Sequence, residues 1–213
     1  MNRTETMNYI IQKKGYKTYL EIGTQYGWNY DYIDIESKEC CDVDDSHHEM
    51  TYTMTSDELF ATLPKDKKYD MIFIDGLHHE LFVHRDIINS LKHLNPGGVI
   101  CVHDVIPINY TATTAYYDGE IHKQGWNGDV WKAIANLQNF NIEFYTIFNE
   151  DQGLTIIKYR ENPYELNISD VKTNIKYEFV WDDNYDRLDA KHFTPQGQFI
   201  MHVIDESHID YIL

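Results

Sequence analysis

Positive charge is scarce in this chain: 18 lysines and arginines stand against 35 aspartates and glutamates, a formal net charge of −17 over 213 residues. A surface of that sign repels polyphosphate, and no Lys/Arg cluster interrupts it. Duplex DNA and long RNA are therefore disfavoured as partners, and a small neutral or cationic substrate fits better. Cysteine is also scarce, with three residues, two of them adjacent at Cys40 and Cys41. That spacing suits neither a disulfide framework nor a zinc finger, and it points to a reducing, cytoplasmic setting. No apolar run approaches a membrane span and no signal-type region follows Met1, so no membrane partner is expected. Internal repeats and low-complexity segments are absent as well.

What the chain does have is apolar and aromatic bulk. Hydrophobic residues make up 42% and aromatics 14%, enough for an ordered core, and the 17 tyrosines suit core edges and ligand walls. After a short helix over residues 1–15, the pattern alternates. Lys17–Gly23 reads as a strand, Trp28–Glu36 as a helix, Glu39–Asp42 as a second strand and Met50–Met54 as a third. Ser56 is a natural N-cap for a helix Asp57–Leu63. Tyr69–Asp75 is apolar without interruption, as a strand buried on both faces should be. Leu81, Ile87, Ile88, Leu91 and Leu94 have helical spacing up to Pro96-Gly97-Gly98, and Val99–His103 is the next strand. A long loop over residues 105–125 follows, then a helix from the Trp126 region to Leu137. Asn141–Phe148 and Leu154–Arg160 read as two strands joined by a hairpin-like turn. Such alternation predicts a three-layer α/β sheet. We divide the chain into a domain over 1–160 and an extension over 161–213 that packs on the core or on a second subunit. In that extension Tyr177, Phe179, Trp181 and Tyr185 could cap a site or build a dimer.

Two apolar runs end abruptly in acid and imidazole: Phe73-Ile-Asp75-Gly-Leu-His78-His79 and Ile100-Cys-Val-His103-Asp104. On neighbouring parallel strands these ends place Asp75, His78, His103 and Asp104 around one point, where α/β sheets bind ligands. An Asp/His cluster there suits a metal or proton transfer. The alternative is that these groups bond one another within loops. His79 and Glu80 read as the start of the next helix, and His47, His48, His84 and His93 as surface residues.

Leu20-Glu21-Ile-Gly23-Thr24-Gln-Tyr-Gly27 places two glycines between a strand and a helix, where backbone can approach a ligand closely and a helix N-terminus offers N–H groups. It is neither the dinucleotide G-x-G-x-x-G nor a Walker loop. Asp42 ends the second strand, where a carboxylate can accept both hydroxyls of a ribose. Trp126-Asn-Gly-Asp129-Val-Trp131-Lys132 combines aromatic rings with polar groups suited to a sugar, and Trp126, Asp129 and Lys132 are the substrate candidates. Tyr110, Tyr116 and Tyr117 could form a lid over them. Asn127 as a cap and Trp131 as core are the plainer alternatives.

In order, Glu21-x-Gly23-x-x-x-Gly27, Asp42, Thr55-Ser56-Asp57, Phe73-Ile-Asp75-Gly-x-His78, Pro96-Gly-Gly98 and His103-Asp104 resemble class I S-adenosylmethionine-dependent methyltransferases. The likeness is strongest to the small-molecule O-methyltransferase branch that contains macrocin-type sugar methyltransferases, and it spans residues 17–160. It implies a Rossmann-like sheet of seven mostly parallel strands, the last antiparallel. It implies S-adenosylmethionine as cofactor, with Glu21, Gly23, Thr24 and Gly27 near its methionine part, Asp42 on the ribose, Ser56 and Asp57 near the adenine, and Asp75 beside it. In that branch an acid at the end of one strand and two adjacent acids at the end of the next bind a divalent metal. Carried over, Asp75, His103 and Asp104 are the metal ligands for Mg²⁺ or Mn²⁺, and His78 is the base beside catalytic Asp75 and Asp104. His103 stands where relatives carry an acid, which would move preference from Mg²⁺ towards Mn²⁺, Fe²⁺ or Zn²⁺.

The implied activity is O-methylation of a sugar, sugar nucleotide or other polyhydroxylated small molecule, assisted by a divalent metal. A metal-independent small-molecule methyltransferase and a non-catalytic nucleoside-binding protein of the same fold are the competing readings. A dehydrogenase fits less well, because its glycine spacing is shorter.

Overall fold

Alternation decides how the central strands are buried. In the run Tyr69–Ile74, Met71 and Phe73 face one side of the sheet and Ile72 and Ile74 the other, and all four are buried. A strand covered on both faces has no polar side to present, which is why its sequence is apolar throughout. The computed structural model describes residues 1–108, 111–114, 116–123, 125–137, 140, 142–148, 151–158 and 202–213.

The elements are α1 (Arg3–Lys14), β1 (Thr18–Ile22), β2 (Ser37–Asp42), β3 (Tyr52–Thr53), α2 (Ser56–Thr62), β4 (Tyr69–Ile74), α3 (Glu80–Lys92), β5 (Leu94–His103), α4 (Val130–Asn136), β6 (Glu143–Phe148), β7 (Leu154–Lys158), β8 (Val203–Asp205) and α5 (Ile209–Ile212). They form one sheet in the order β3-β2-β1-β4-β5-β7-β6-β8. Strands β1 to β5 are parallel, and β7 runs antiparallel between β5 and β6. The fold is thus the expected Rossmann-like sheet with a reversed strand, but with eight strands rather than seven. The eighth, β8, comes from the C-terminal segment and pairs parallel to β6. The four tail aromatics singled out above lie outside the described residues.

Helices cover both faces. Met7, Ile10 and Ile11 of α1 pack with Ile209 and Ile212 of α5 against Tyr19, Met71, Phe73 and Cys101. Leu59 of α2, Val83, Ile87 and Leu91 of α3 and Ile134 of α4 cover Leu20, Ile72, Ile100 and Val102 on the other face. Burying an aliphatic side chain of this size contributes roughly 1.5–3 kcal/mol, so the two clusters supply most of the drive to fold. No helix among the described residues is long and apolar enough to cross a membrane.

Leu94 and Pro96-Gly97-Gly98, expected to close α3, lie instead in β5, which follows directly after the helix ends at Lys92, and two further expectations need correction. Trp28–Glu36 is not a helix but holds only a 3₁₀ turn at Tyr30–Tyr32. Side chains take its backbone groups instead: Lys38 Nζ donates to the carbonyls of Tyr30, Asp31 and Ile33, and Asn8 bonds Tyr32 O and Asp34 N–H. The N-cap of α2 is Thr55 rather than Ser56. Its side chain accepts from Glu58 N–H while the Glu58 carboxylate returns to Thr55 N–H, a reciprocal capping box.

Freed from capping, Ser56 lies beside Asp86 of α3, and Asp57 pairs with Arg85 at 2.8 Å, which ties α2 to α3. Asp86 is buried, and burial pushes its carboxyl up to about 7 against the pull of the nearby Ser56 hydroxyl. The folded chain therefore holds this proton more tightly than the unfolded chain does. Asp86 contributes stability that is full below the usual carboxylate range and is lost as pH rises through about 7. Asp86→Asn should remove that dependence. In urea titrations between about pH 5 and about pH 8 the parent should lose roughly 2–4 kcal/mol more than the variant. Parallel losses in the two proteins would contradict the assignment.

Candidate active site

Strand order reverses at β1, whose neighbours are β2 and β4, and a crevice opens beyond the carboxyl ends at such a switch point. Three strand ends are bonded together there. Gly23 N–H donates to Cys41 O at 2.9 Å, and Asp75 N–H donates to Ile22 O at 2.9 Å. Gly23 sits at φ +84°, and a Cβ on it would lie 2.2 Å from Asp75 O. Only glycine lets the loop turn while its backbone touches the end of β4. Asp42 Oδ2 accepts from Gln25 N–H at 2.8 Å, so the acid that ends β2 also holds the middle of the loop. Thr24 is buried with its hydroxyl unpartnered. At Gly27 an added Cβ would strike the His48 ring at 2.2 Å, so this glycine makes room for a side chain of the protein itself. Since only a short 3₁₀ turn follows, the loop has no α-helix N-terminus behind it, contrary to expectation.

Glu21 lies beneath the loop and is fully buried. Its Oε2 accepts from Tyr19 OH at 2.5 Å and from Asn29 Nδ2 at 2.7 Å. Burial raises its carboxyl to about 7, against the pull of those two bonds. Glu21 is thus held by Tyr19 and Asn29, and among the described residues no bond joins it to the loop's N–H groups.

The sheet brings together the four groups expected at the ends of β4 and β5. His78 Nε2 lies 3.1 Å from Asp104 Oδ2 and 3.4 Å from Asp75 Oδ1. His103 Nδ1 lies 3.3 Å and 3.4 Å from the same two oxygens. Each imidazole gives its other nitrogen to a backbone carbonyl: His78 Nδ1–H to Trp126 O at 2.9 Å, and His103 Nε2–H to Asp151 O at 2.7 Å. Burial works against a charged imidazole. At His78 the Asp75 hydrogen bond and the Asp104 charge prevail and lift it to about 9. At His103 the charges of Asp104 and Asp75 prevail in the same direction. Burial would raise Asp75, yet the two imidazoles hold its carboxyl well below the usual range.

A cation would meet a narrower set. One ligand atom each from Asp75, His78 and Asp104 lies within 4.8 Å of the others, and His103 does not join them. The expected ligand set was Asp75, His103 and Asp104; this grouping takes in His78, the expected base, with the same two carboxylates, and His103 Nδ1 faces those oxygens from its own side. The donor chemistry suits a divalent ion, since two carboxylates face an imidazole nitrogen whose other N–H is already anchored.

Asp104 adopts φ +57°, a strained conformation for a side-chain-bearing residue. Fully buried Asn127 holds it there, donating from Nδ2 to Asp104 Oδ1 at 3.0 Å and lying 3.3 Å from Asp104 O. Asn127 Oδ1 in turn accepts from Ile108 N–H at 3.3 Å. Sequence reasoning treated Asn127 as a cap and did not find this role. The signal for it was the following Gly128, at φ +61°, where a Cβ would lie 1.8 Å from His78 O.

The Trp126–Lys132 segment is thus a buttress more than a sugar-facing wall. Asp129, expected to meet substrate, is 4% exposed; it accepts from Glu80 N–H at 2.6 Å, at the start of α3, and pairs with Lys132 at 3.2 Å. Lys132 is committed to that pair and to the Trp131 ring. Trp126 alone of the three substrate candidates stays at the mouth, its ring 5.1 Å from that of His78. Tyr117 meets Trp126 edge-on at 5.6 Å and Tyr116 meets His79 at 6.3 Å, both largely exposed. Tyr110 lies outside the described residues. Ser56 and Asp57 face α3, as described above. Of the histidines expected at the surface, His84 and His93 are buried.

Residues 36–105 match the family model described as a methyltransferase domain. No curated protein matches the chain significantly. Among solved structures, the O-methyltransferase from Bacillus cereus in complex with SAH is 14% identical with a TM-score of 0.58, covering 75% of this chain and 82% of its own. TomG from Streptomyces achromogenes, an O-methyltransferase involved in tomaymycin synthesis and solved with SAM, is 14% identical with a TM-score of 0.56, over 75% of this chain and 80% of its own. The SAH-bound methyltransferase PaMTH1 of Podospora anserina is 14% identical with a TM-score of 0.55, over 75% and 78%. The chain has the class I methyltransferase fold.

Asn127→Ala should leave Asp104 strained and its buried carboxylate short of a donor. A loss of about 1–3 kcal/mol in chemical denaturation is expected, with the fold retained by circular dichroism. A change within error would mean that Asn127 does not hold the site.

Proposed function

We propose that the protein is an S-adenosylmethionine-dependent O-methyltransferase acting on a small polyhydroxylated acceptor such as a sugar. One observation carries this reading. In a methyltransferase fold, the glycine loop at the end of β1 touches the end of β4, where Asp75 begins a cluster of two carboxylates and two imidazoles. The loop Gly23–Gly27 and Thr24 would receive the methionine part of the cofactor, and Asp42 its ribose hydroxyls. The crowding of Gly23 by Asp75 O keeps cofactor and acceptor sites adjacent.

Methyl transfer breaks the bond from sulfur to methyl and forms a bond from acceptor oxygen to methyl, while the hydroxyl proton leaves. In its neutral form, which Asp75 and Asp104 confine to alkaline pH, His78 Nε2 takes that proton. Its Nδ1–H is fixed on Trp126 O, so the ring cannot turn away, and Asp104 and Asp75 stabilise the imidazolium that forms. His78 is also the more exposed of the two imidazoles. Trp126 and Tyr117 offer apolar faces to the C–H side of a sugar ring. The acidic surface favours a neutral or cationic acceptor.

A second reading rests on the 4.8 Å grouping of Asp75, His78 and Asp104. A divalent cation held by these three would polarise an acceptor hydroxyl and lower its pKa. His78 is then a ligand, and a strong base is no longer needed.

Calorimetric titration with S-adenosylhomocysteine should give saturable binding, with none for NAD, and Asp42→Ala should weaken it by about tenfold or more. Absence of binding, with or without Mn²⁺, would overturn the cofactor assignment. Electron paramagnetic resonance of added Mn²⁺ separates the two readings. Uptake abolished by Asp75→Asn supports the cation site, and no uptake leaves His78 as the unaided base.

A further inference from the structure

We infer that Arg3, acting through Asp151, positions His103 against Asp75 and Asp104, which makes the first turn of α1 part of the site. The inference rests on the proposed function only for its consequence in catalysis; the contacts stand without it. His103 is almost wholly buried, and its Nε2 edge meets the carbonyl of Asp151, in the turn between β6 and β7. A carbonyl in a turn is a fixed acceptor only if the turn is fixed.

Two sets of contacts fix it. Gln152 O accepts from Ile106 N–H at 2.9 Å, and Gly153, at φ +80°, lies so close to Ile106 that a Cβ would come within 2.6 Å of its side chain. The Asp151 carboxylate is clamped by α1: Oδ2 accepts from Arg3 N–H at 3.0 Å and Oδ1 from Arg3 Nη1 at 2.9 Å. The N–H groups of a helix's first turn have no partners within the helix, so an acid docks there naturally. Arg3 Nη1 also stands 3.4 Å from His103 Nε2. A guanidinium can only donate, so it cannot accept the imidazole N–H. The Nε2–H is directed to Asp151 O, and Nδ1 is left facing the two carboxylates. Thr4, in the same turn, donates to Asn29 Oδ1 at 2.7 Å, and Asn29 bonds Glu21 beneath the glycine loop. One turn of helix thus touches both halves of the site.

The test is the His103 ring N–H in ¹⁵N-edited NMR of the chelator-treated, full-length protein. A buried imidazole proton on a carbonyl exchanges slowly and gives its own signal, assigned by its absence in His103→Gln. Arg3→Met should lose that signal while backbone dispersion is kept, and Arg3→Lys, which can still reach Asp151 Oδ1, should restore it. Thr4→Val loosens the same turn without touching Asp151 and should keep the signal. Persistence of the signal in Arg3→Met, or its loss in Thr4→Val as well, would overturn the inference in favour of a general packing role. Titration of the same samples with S-adenosylhomocysteine reads the proposed function separately. A parent that binds none but still loses the signal in Arg3→Met fails that function and upholds this inference.

Discussion

Two carboxylates at the ends of adjacent parallel strands, Asp104 buried and Asp75 half-buried, cannot sit side by side unless something neutralises them, and much of this structure answers that constraint. The register of β4 against β5, with Ile74 opposite Val102, brings Asp75 beside His103 and Asp104 as the strands end. A buried charge without a partner costs several kcal/mol. Here His78 and His103 flank the same two oxygens. Each imidazole needs its outer nitrogen anchored, and the anchors come from chain segments far away, at Trp126 and Asp151. A local electrostatic requirement thereby recruits the segment before α4 and the turn after β6.

Backbone strain gathers in the same place. Among the described residues, four without glycine's freedom have positive φ: Gln25, Asp104, Gln152 and His202. The first three lie in the glycine loop, at the end of β5 and in the turn beside His103. Such conformations persist only where surrounding contacts over-determine them. Asp42 bonds Gln25 N–H, Asn127 brackets Asp104, and Gln152 is tied to Ile106. The site is therefore rigid because of contacts outside it, the condition for holding reacting groups in a fixed geometry.

The sheet and the meeting of Asp75, His78, His103 and Asp104 were legible in the sequence, because both follow from strand periodicity and from where apolar runs stop. The helix expected at Trp28–Glu36 failed because Lys38 and Asn8, distant from a purely local reading, take the backbone groups a helix would have bonded. The contacts of Asn127 and Asp129 were not legible for a related reason. Polar residues beside aromatics look the same in sequence whether they face a ligand or brace a neighbouring loop, and only the packing of Gly128 on His78 O separates the two. Arg3 left no signal at all. Its partner lies 148 positions away, and no periodicity connects a helix start to a hairpin turn.

The reversed strand β7 has a geometric effect beyond completing the sheet. Because β6 runs with β5 and β7 against it, the short connection between β6 and β7 falls at the carboxyl edge, with Leu154 opposite His103. Had β7 run parallel, its connection would have crossed to the far edge, and the outer nitrogen of His103 would have faced open crevice. The direction of one strand thus sets the Asp151 carbonyl against the outer nitrogen of His103 at the carboxyl edge of the sheet.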